Sequence, residues 1–148
     1  MFQRILVPLD GSAVAESALE TACGLAQAFA AQIYLVRCLS SLPPADFAAR
    51  AEEFHEAHLW DENDALEYIS GIATRLSASG LSVHRDLLTG TPAETIAQSA
   101  REHQVDLIVM TSHGRSLFSR LMLGSVAETL ARIAPCPVMI LRSSPGQD

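Results

Sequence analysis

Five short β-prone runs alternate with four stretches of helical periodicity along this chain, and few folds accept that order. The first run, Ile5-Leu6-Val7-Pro8-Leu9, is apolar throughout and ends in Asp10-Gly11-Ser12, as a strand buried on both faces does before a turn. Ile33 to Leu39 repeats the pattern, residues 81–88 alternate, and residues 105–110 and 137–141 are again short and apolar. Helical spacing fills the intervals: residues 13–31, about 47–78, 93–103 and 125–133. Strands that alternate with helices need crossovers, and crossovers give parallel pairing. The expected architecture is α/β, a doubly wound five-stranded parallel sheet with helices on both faces.

Local chemistry marks the joints. Ser12 is the expected N-cap of the first helix, with Glu16 in its first turn facing the dipole. Ala15, Leu19, Ala22, Cys23, Ala26 and Phe29 then fall on one face of a single long helix. Pro43-Pro44 breaks the chain before the long helix, Ser79-Gly80 ends it, and Gly90-Thr91-Pro92 opens the next. Pro135 and Pro137 stop the last helix on either side of Cys136. Residues 1–142 read as one domain, and 143–148 as a polar tail.

Composition narrows the function. With 49% hydrophobic residues in 148, the chain can bury one sizeable core. Only 10 Lys and Arg face 17 Asp and Glu, a net charge of -7, so no general footprint for nucleic acid or an anionic membrane exists. Any anion site must be local. The three cysteines lack metal-ligand or redox-pair spacing, and no apolar stretch nears the roughly 20 residues that span a bilayer. The expected location is the cytoplasm.

In a doubly wound sheet, ligands sit beyond the carboxyl ends of the strands where the strand order reverses. That rule brings Pro8-Leu9-Asp10 and Met110-Thr111-Ser112-His113-Gly114 to one crevice. Beyond it, nine residues separate Gly114 from Gly124, and a helix starts at Ser125. Such a loop presents backbone N–H groups and a helix N-terminus to an anion. Gly124 permits close approach or a positive φ, Ser125 can cap the helix or bond a phosphate oxygen, and Arg115 and Arg120 can add charge-assisted bonds.

These segments, with Gly124-Ser125-Val126-Ala127-Glu128 and the closing Pro135-Cys136-Pro137-Val138, resemble the universal stress protein family over essentially the whole chain. The resemblance implies an adenine nucleotide alpha hydrolase-like, Rossmann-like sheet of strand order 3-2-1-4-5. It implies an adenine nucleotide as ligand, ATP foremost, with or without Mg2+. Gly114, Gly124 and Ser125 would contact the phosphates, with His113, Arg115 and Val126 in the same loop and helix start. Asp10 would approach adenine or ribose. Pro8 and Leu9 would line the base pocket, Cys38 would face adenine, and Met110 and Thr111 would lie at the strand end. The resemblance further implies a stress-response module that is a homodimer through the last strand and acts on protein partners. Thr111 departs from the family pattern, which has its first glycine there, and a β-branched residue adds bulk at that point.

Blander readings accompany these. Gly124-Ser125 is also an ordinary turn and cap, and Asp10 before Gly11 also stabilises a turn. His113 lacks a visible carboxylate or nucleophile partner, so no catalytic residue is assigned. His55 and His58 stand in a charged helix and read as a solvated face rather than a metal site. A weak ATPase or phosphotransfer enzyme lacks the lysine-containing phosphate loop, and a nucleotide-free interaction module would use Gly124-Ser125 for architecture alone.

Overall fold

The computed structural model describes residues 1–39, 51–112 and 123–142, of which 51–61 are described as helix backbone only. In chain order the elements are β1 (Arg4–Leu9), α1 (Ala13–Glu16), α2 (Ala18–Phe29), β2 (Gln32–Leu39), α3 (Ala51–Ala78), β3 (Val83–Thr89), α4 (Pro92–Glu102), β4 (Leu107–Thr111), α5 (Ser125–Ile133) and β5 (Val138–Leu141). All strands are parallel, in the order β3-β2-β1-β4-β5. This is the expected doubly wound sheet.

Side-chain alternation divides the core in two. Ile5, Val7 and Leu9 of β1, Ile33 and Leu35 of β2, and Leu107 and Val109 of β4 pack on one face with α2 and with Ile69 and Ile72 of α3. The residues between them, Leu6, Val36, Ile108 and Met110, pack on the other with Ile96, Ala97 and Ala100 of α4 and Leu130 of α5. β1 therefore has a helical layer on either side.

Several boundaries differ from expectation, each for a local reason. The single helix over 13–31 is two, because the chain breaks at Ser17, whose hydroxyl donates to the Val14 carbonyl at 2.6 Å. α2 ends at Phe29, with Ala30 in the left-handed region at φ 53°. The strand expected over 81–88 begins at Val83, since Gly80 and the residues after it are spent leaving α3. The strand expected over 105–110 is Leu107–Thr111: Val105 N–H closes α4 on the Ala100 carbonyl, and Asp106 is a cap rather than a strand residue. Thr111, expected in a loop, is the buried last residue of β4. Residues 40–46 and the tail 143–148 lie outside the described residues.

Asp106 fixes where β1 starts. Its carboxylate accepts the Gln3 N–H at 2.8 Å and the Arg4 N–H at 3.2 Å, while its own N–H donates to the Arg4 carbonyl. Removing the carboxylate strands two backbone donors at the first turn of the central strand, so Asp106→Ala should lower unfolding free energy by about 1–2 kcal/mol, measured by urea denaturation; an unchanged midpoint would contradict that role.

Burial pushes the thiols of Cys23, Cys38 and Cys136 above their ordinary value of 9.0. It also raises the Tyr68 phenol, helped by the Glu16 carboxylate that its hydroxyl meets. All four are acids held neutral by the fold, so the unfolded chain ionises first as pH rises. The stability they add is present below the ordinary thiol value and is lost above it. The 10 Lys and Arg are all arginine, so no lysine titrates in that window. The urea midpoint should hold between about pH 7 and 8.5 and fall toward about pH 10; a midpoint that rises there would overturn the assignment.

Candidate functional site

The strand order reverses at β1: the chain leaves it for β2 and β3 on one side and returns to β4 on the other. A crevice results at the carboxyl ends of β1 and β4, and there the structure holds a cavity of about 220 Å³. Of the residues singled out in the sequence, Pro8, Leu9, Asp10, Cys38, Met110, Thr111, Gly124, Ser125 and Val126 line it. His113, Gly114 and Arg115 lie outside the described residues, as do Arg120 and the side chains of His55, His58 and Trp60.

Asp10 keeps the turn role and faces the cavity. One carboxylate oxygen accepts both the Ser12 N–H at 2.9 Å and the Ser12 hydroxyl, and that hydroxyl accepts the Ala15 N–H at 3.1 Å. The carboxylate thus sets the Ser12 cap of α1 through two bonds. Gly11 has φ 87°, which lets the chain turn tightly enough for this.

On the opposite wall, α5 begins without a side-chain cap. Gly124 is the N-cap, at φ -62°, and Ser125 is the first helical residue, so neither the Ser125 cap nor a positive φ at Gly124 is realised. The Gly124 N–H donates to the Ser112 carbonyl at 2.6 Å, tying the helix start to the end of β4. Ser125, Val126 and Ala127, the first turn of α5, all border the cavity. The positive end of the helix dipole meets that space, and the N-cap residue, a glycine, makes no side-chain bond over it.

The third wall is weakly polar. The Cys38 sulfur lies 3.1 Å from the Thr95 hydroxyl, which donates to the main-chain carbonyls of Thr91 and Pro92 at 3.0 and 3.1 Å. Either atom of this pair can be the donor. Burial raises the Cys38 pKa, and the Thr95 bond and the Arg37 guanidinium lower it less. The thiol is therefore neutral and is no nucleophile. Pro92 and Ile96 of α4 complete an apolar end. Sequence reasoning missed them, along with Ala15. Ser112 and Ala127 stand inside the motifs quoted from the sequence without a role of their own, whereas Pro92 and Ile96 reach the cavity only because α4 crosses the end of β2.

Among the described residues, no group of three or more His, Cys, Asp or Glu side chains could hold a metal ion, and no helix is long and apolar enough to cross a membrane.

Gly90 sets the distance between β3 and α4. Its φ is 140°, its N–H donates to the Leu39 carbonyl at 3.0 Å, and a Cβ there would stand 2.7 Å from the Thr95 methyl. Gly90→Ala should cost about 1–3 kcal/mol of stability, read by urea denaturation; a variant as stable as the parent would show the turn to be tolerant.

The universal stress protein family model matches residues 1–142. The chain is 31% identical over 144 residues to universal stress protein MJ0531 of Methanocaldococcus jannaschii, covering 96% of this chain and 83% of that one. Among solved structures, the hypothetical protein MJ0577 superposes with a TM-score of 0.84 at 26% identity, covering 99% of both chains. A universal stress protein solved in complex with cAMP shares the fold, with a TM-score of 0.64 at 24% identity over 97% of this chain and 99% of that one. A parallel five-stranded sheet of order 3-2-1-4-5, a crevice at its switch point and a family match over nearly the full length agree: the chain belongs to the universal stress protein family.

Proposed function

We propose that the cavity binds an adenine nucleotide, with ATP as the leading candidate, and that the protein is a nucleotide-responsive module of the stress response. The observation that carries this reading is the start of α5 at Gly124, with no side-chain cap among the described residues and bordering a cavity whose far end is apolar. A helix N-terminus stabilises a phosphate through backbone N–H groups and the dipole, which suits a chain with a net charge of -7 and few cations. The Cys38, Pro92 and Ile96 end suits the faces of a flat base. Asp10, between them on β1, suits a hydroxyl-bearing sugar as a hydrogen-bond acceptor. Pro8, Leu9 and Met110 supply further apolar wall, and Ser125 and Val126 belong to the phosphate end. Any Mg2+ would be held chiefly by the nucleotide's phosphates and water. That a protein of the same fold holds cAMP supports a nucleotide at the level of the fold.

Thr111 is the buried last residue of β4 and borders the cavity together with Met110 and Ser112. Its β-branch suits a strand end.

The same reading makes a second copy of the chain the partner of β5. β5 is an edge strand whose residues Val138–Leu141 are all half-buried, and pairing with a copy would cover its open backbone groups.

The deciding experiment denatures freshly purified protein, identifies released nucleotide by mass spectrometry, and then titrates ligand-free protein with ATP, ADP and AMP. Saturable binding is expected, weakened about tenfold or more in Gly124→Val, or roughly 1.4 kcal/mol, with the circular dichroism of the sheet unchanged. Folded protein that neither carries nor binds a nucleotide would make the family's fold here an interaction module instead.

A further inference from the structure

One helical turn does not hold itself in water, because nucleating it fixes about six dihedrals for one hydrogen bond. α1 is such a turn, Ala13–Glu16, cut from α2 at Ser17. It matters for the cavity because Ala15 is in the wall and Ser12, its cap, is bonded to Asp10. Burial of Ala15 in the core and the run through Ser17 into α2 hold it, and side-chain tethers at its two ends add to that hold. The N-terminal tether is the Asp10–Ser12 pair. The C-terminal tether comes from another helix on the same face of the sheet: the Tyr68 hydroxyl of α3 donates to the Glu16 carboxylate at 3.0 Å.

Tyr68 does not border the cavity, yet it is electrostatically joined to it. Asp10, Glu16 and the buried Arg37 all act on its phenol, and Arg37 in turn donates to the Cys38 carbonyl at 3.3 Å. The bonds run without a gap from Tyr68 to Glu16, from the Glu16 N–H to the Ser12 carbonyl at 3.2 Å, and from Ser12 to Asp10. Main-chain bonds alone do not give α1 this rigidity, since only one turn of them exists.

We propose that Tyr68 and Glu16 are positioning residues for the nucleotide site, holding α1 and, through Ser12, the Asp10 carboxylate against the cavity. The inference rests on the nucleotide reading above. Glu16, read in the sequence as a helix-dipole partner, is then also the acceptor that lets α3 hold the far wall of the site. Loss of the hydroxyl frees one end of α1 and lets Asp10 wander.

The test compares Tyr68→Phe, Glu16→Ala, Glu16→Gln and the double variant Tyr68→Phe/Glu16→Ala with the parent, using ATP, ADP and AMP titrations and amide hydrogen exchange. Tyr68→Phe and Glu16→Ala should each weaken the tightest-bound nucleotide about three- to tenfold, the scale of one hydrogen bond. The double variant should be no weaker than either. Glu16→Gln keeps the acceptor oxygen and should bind within about twofold of the parent, which separates the hydrogen bond from the carboxylate charge. In the ligand-free protein, the Ala15 and Glu16 amides should exchange faster in Tyr68→Phe while those of β1 do not. Parent-like binding and exchange in Tyr68→Phe, whatever its thermal midpoint, would overturn the proposal. A parent protein that binds none of the three nucleotides overturns the nucleotide reading and the positioning of a ligand with it; exchange at α1 still decides whether Tyr68 holds the turn.

Discussion

β1 is buried on both faces, with Ile5, Leu6 and Val7 fully enclosed, and the rest of the molecule is arranged around that fact. A strand so placed cannot leave polar groups unpaired on either edge, so it takes β2 on one side and β4 on the other. The pleat then sends alternate side chains to two separate helical layers. Because the chain must go out to β3 and come back, the layers part at the carboxyl ends of β1 and β4. The cavity is the space left by that parting. Its position follows from topology before any of its side chains is considered.

What lines the space follows from what an acidic chain can bring to an anion. Positive potential here need not come from side chains, because the first turn of α5 supplies N–H groups at no cost in net charge. A serine or aspartate at the N-cap would occupy those donors, and Gly124 leaves them to the cavity. The opposite end has the complementary property: the Cys38 thiol, in contact with the Thr95 hydroxyl, with Pro92 and Ile96 beside it. One end of the cavity is thus donor-rich and the other apolar, an asymmetry that orients an amphipathic ligand.

Sequence made the strands legible because each is short, apolar and bounded by turn chemistry, and it made the crevice legible because parallel topology fixes where such strands end. Ser12 was readable as a cap from its place after Asp10-Gly11. The break at Ser17 was not, since helical spacing of Ala15, Leu19 and Ala22 continues across it; a hydroxyl bonding back to Val14 leaves no trace in periodicity. Asp106 looked like part of a strand because its use as a cap depends on Gln3 and Arg4, more than a hundred residues away in sequence. Pro92 and Ile96 were hidden for the same reason: their role depends on how α4 crosses β2, not on any local pattern.

The hidden break at Ser17 changes what Glu16 is. Within one continuous helix, Glu16 would be a first-turn carboxylate whose value is a fraction of a kcal/mol against the dipole. At the end of a separate turn, it accepts a hydrogen bond from α3, and that bond to Tyr68 joins α3 to a wall of the cavity. Asp10 stands at the meeting point, bonded to Ser12 and close enough to Tyr68 to act on its phenol. A site at a switch point sits where two layers separate, so each of its walls is held by what packs behind it. In this chain one wall is a turn of helix whose two ends are bonded through carboxylates, Asp10 at the start and Glu16 at the end.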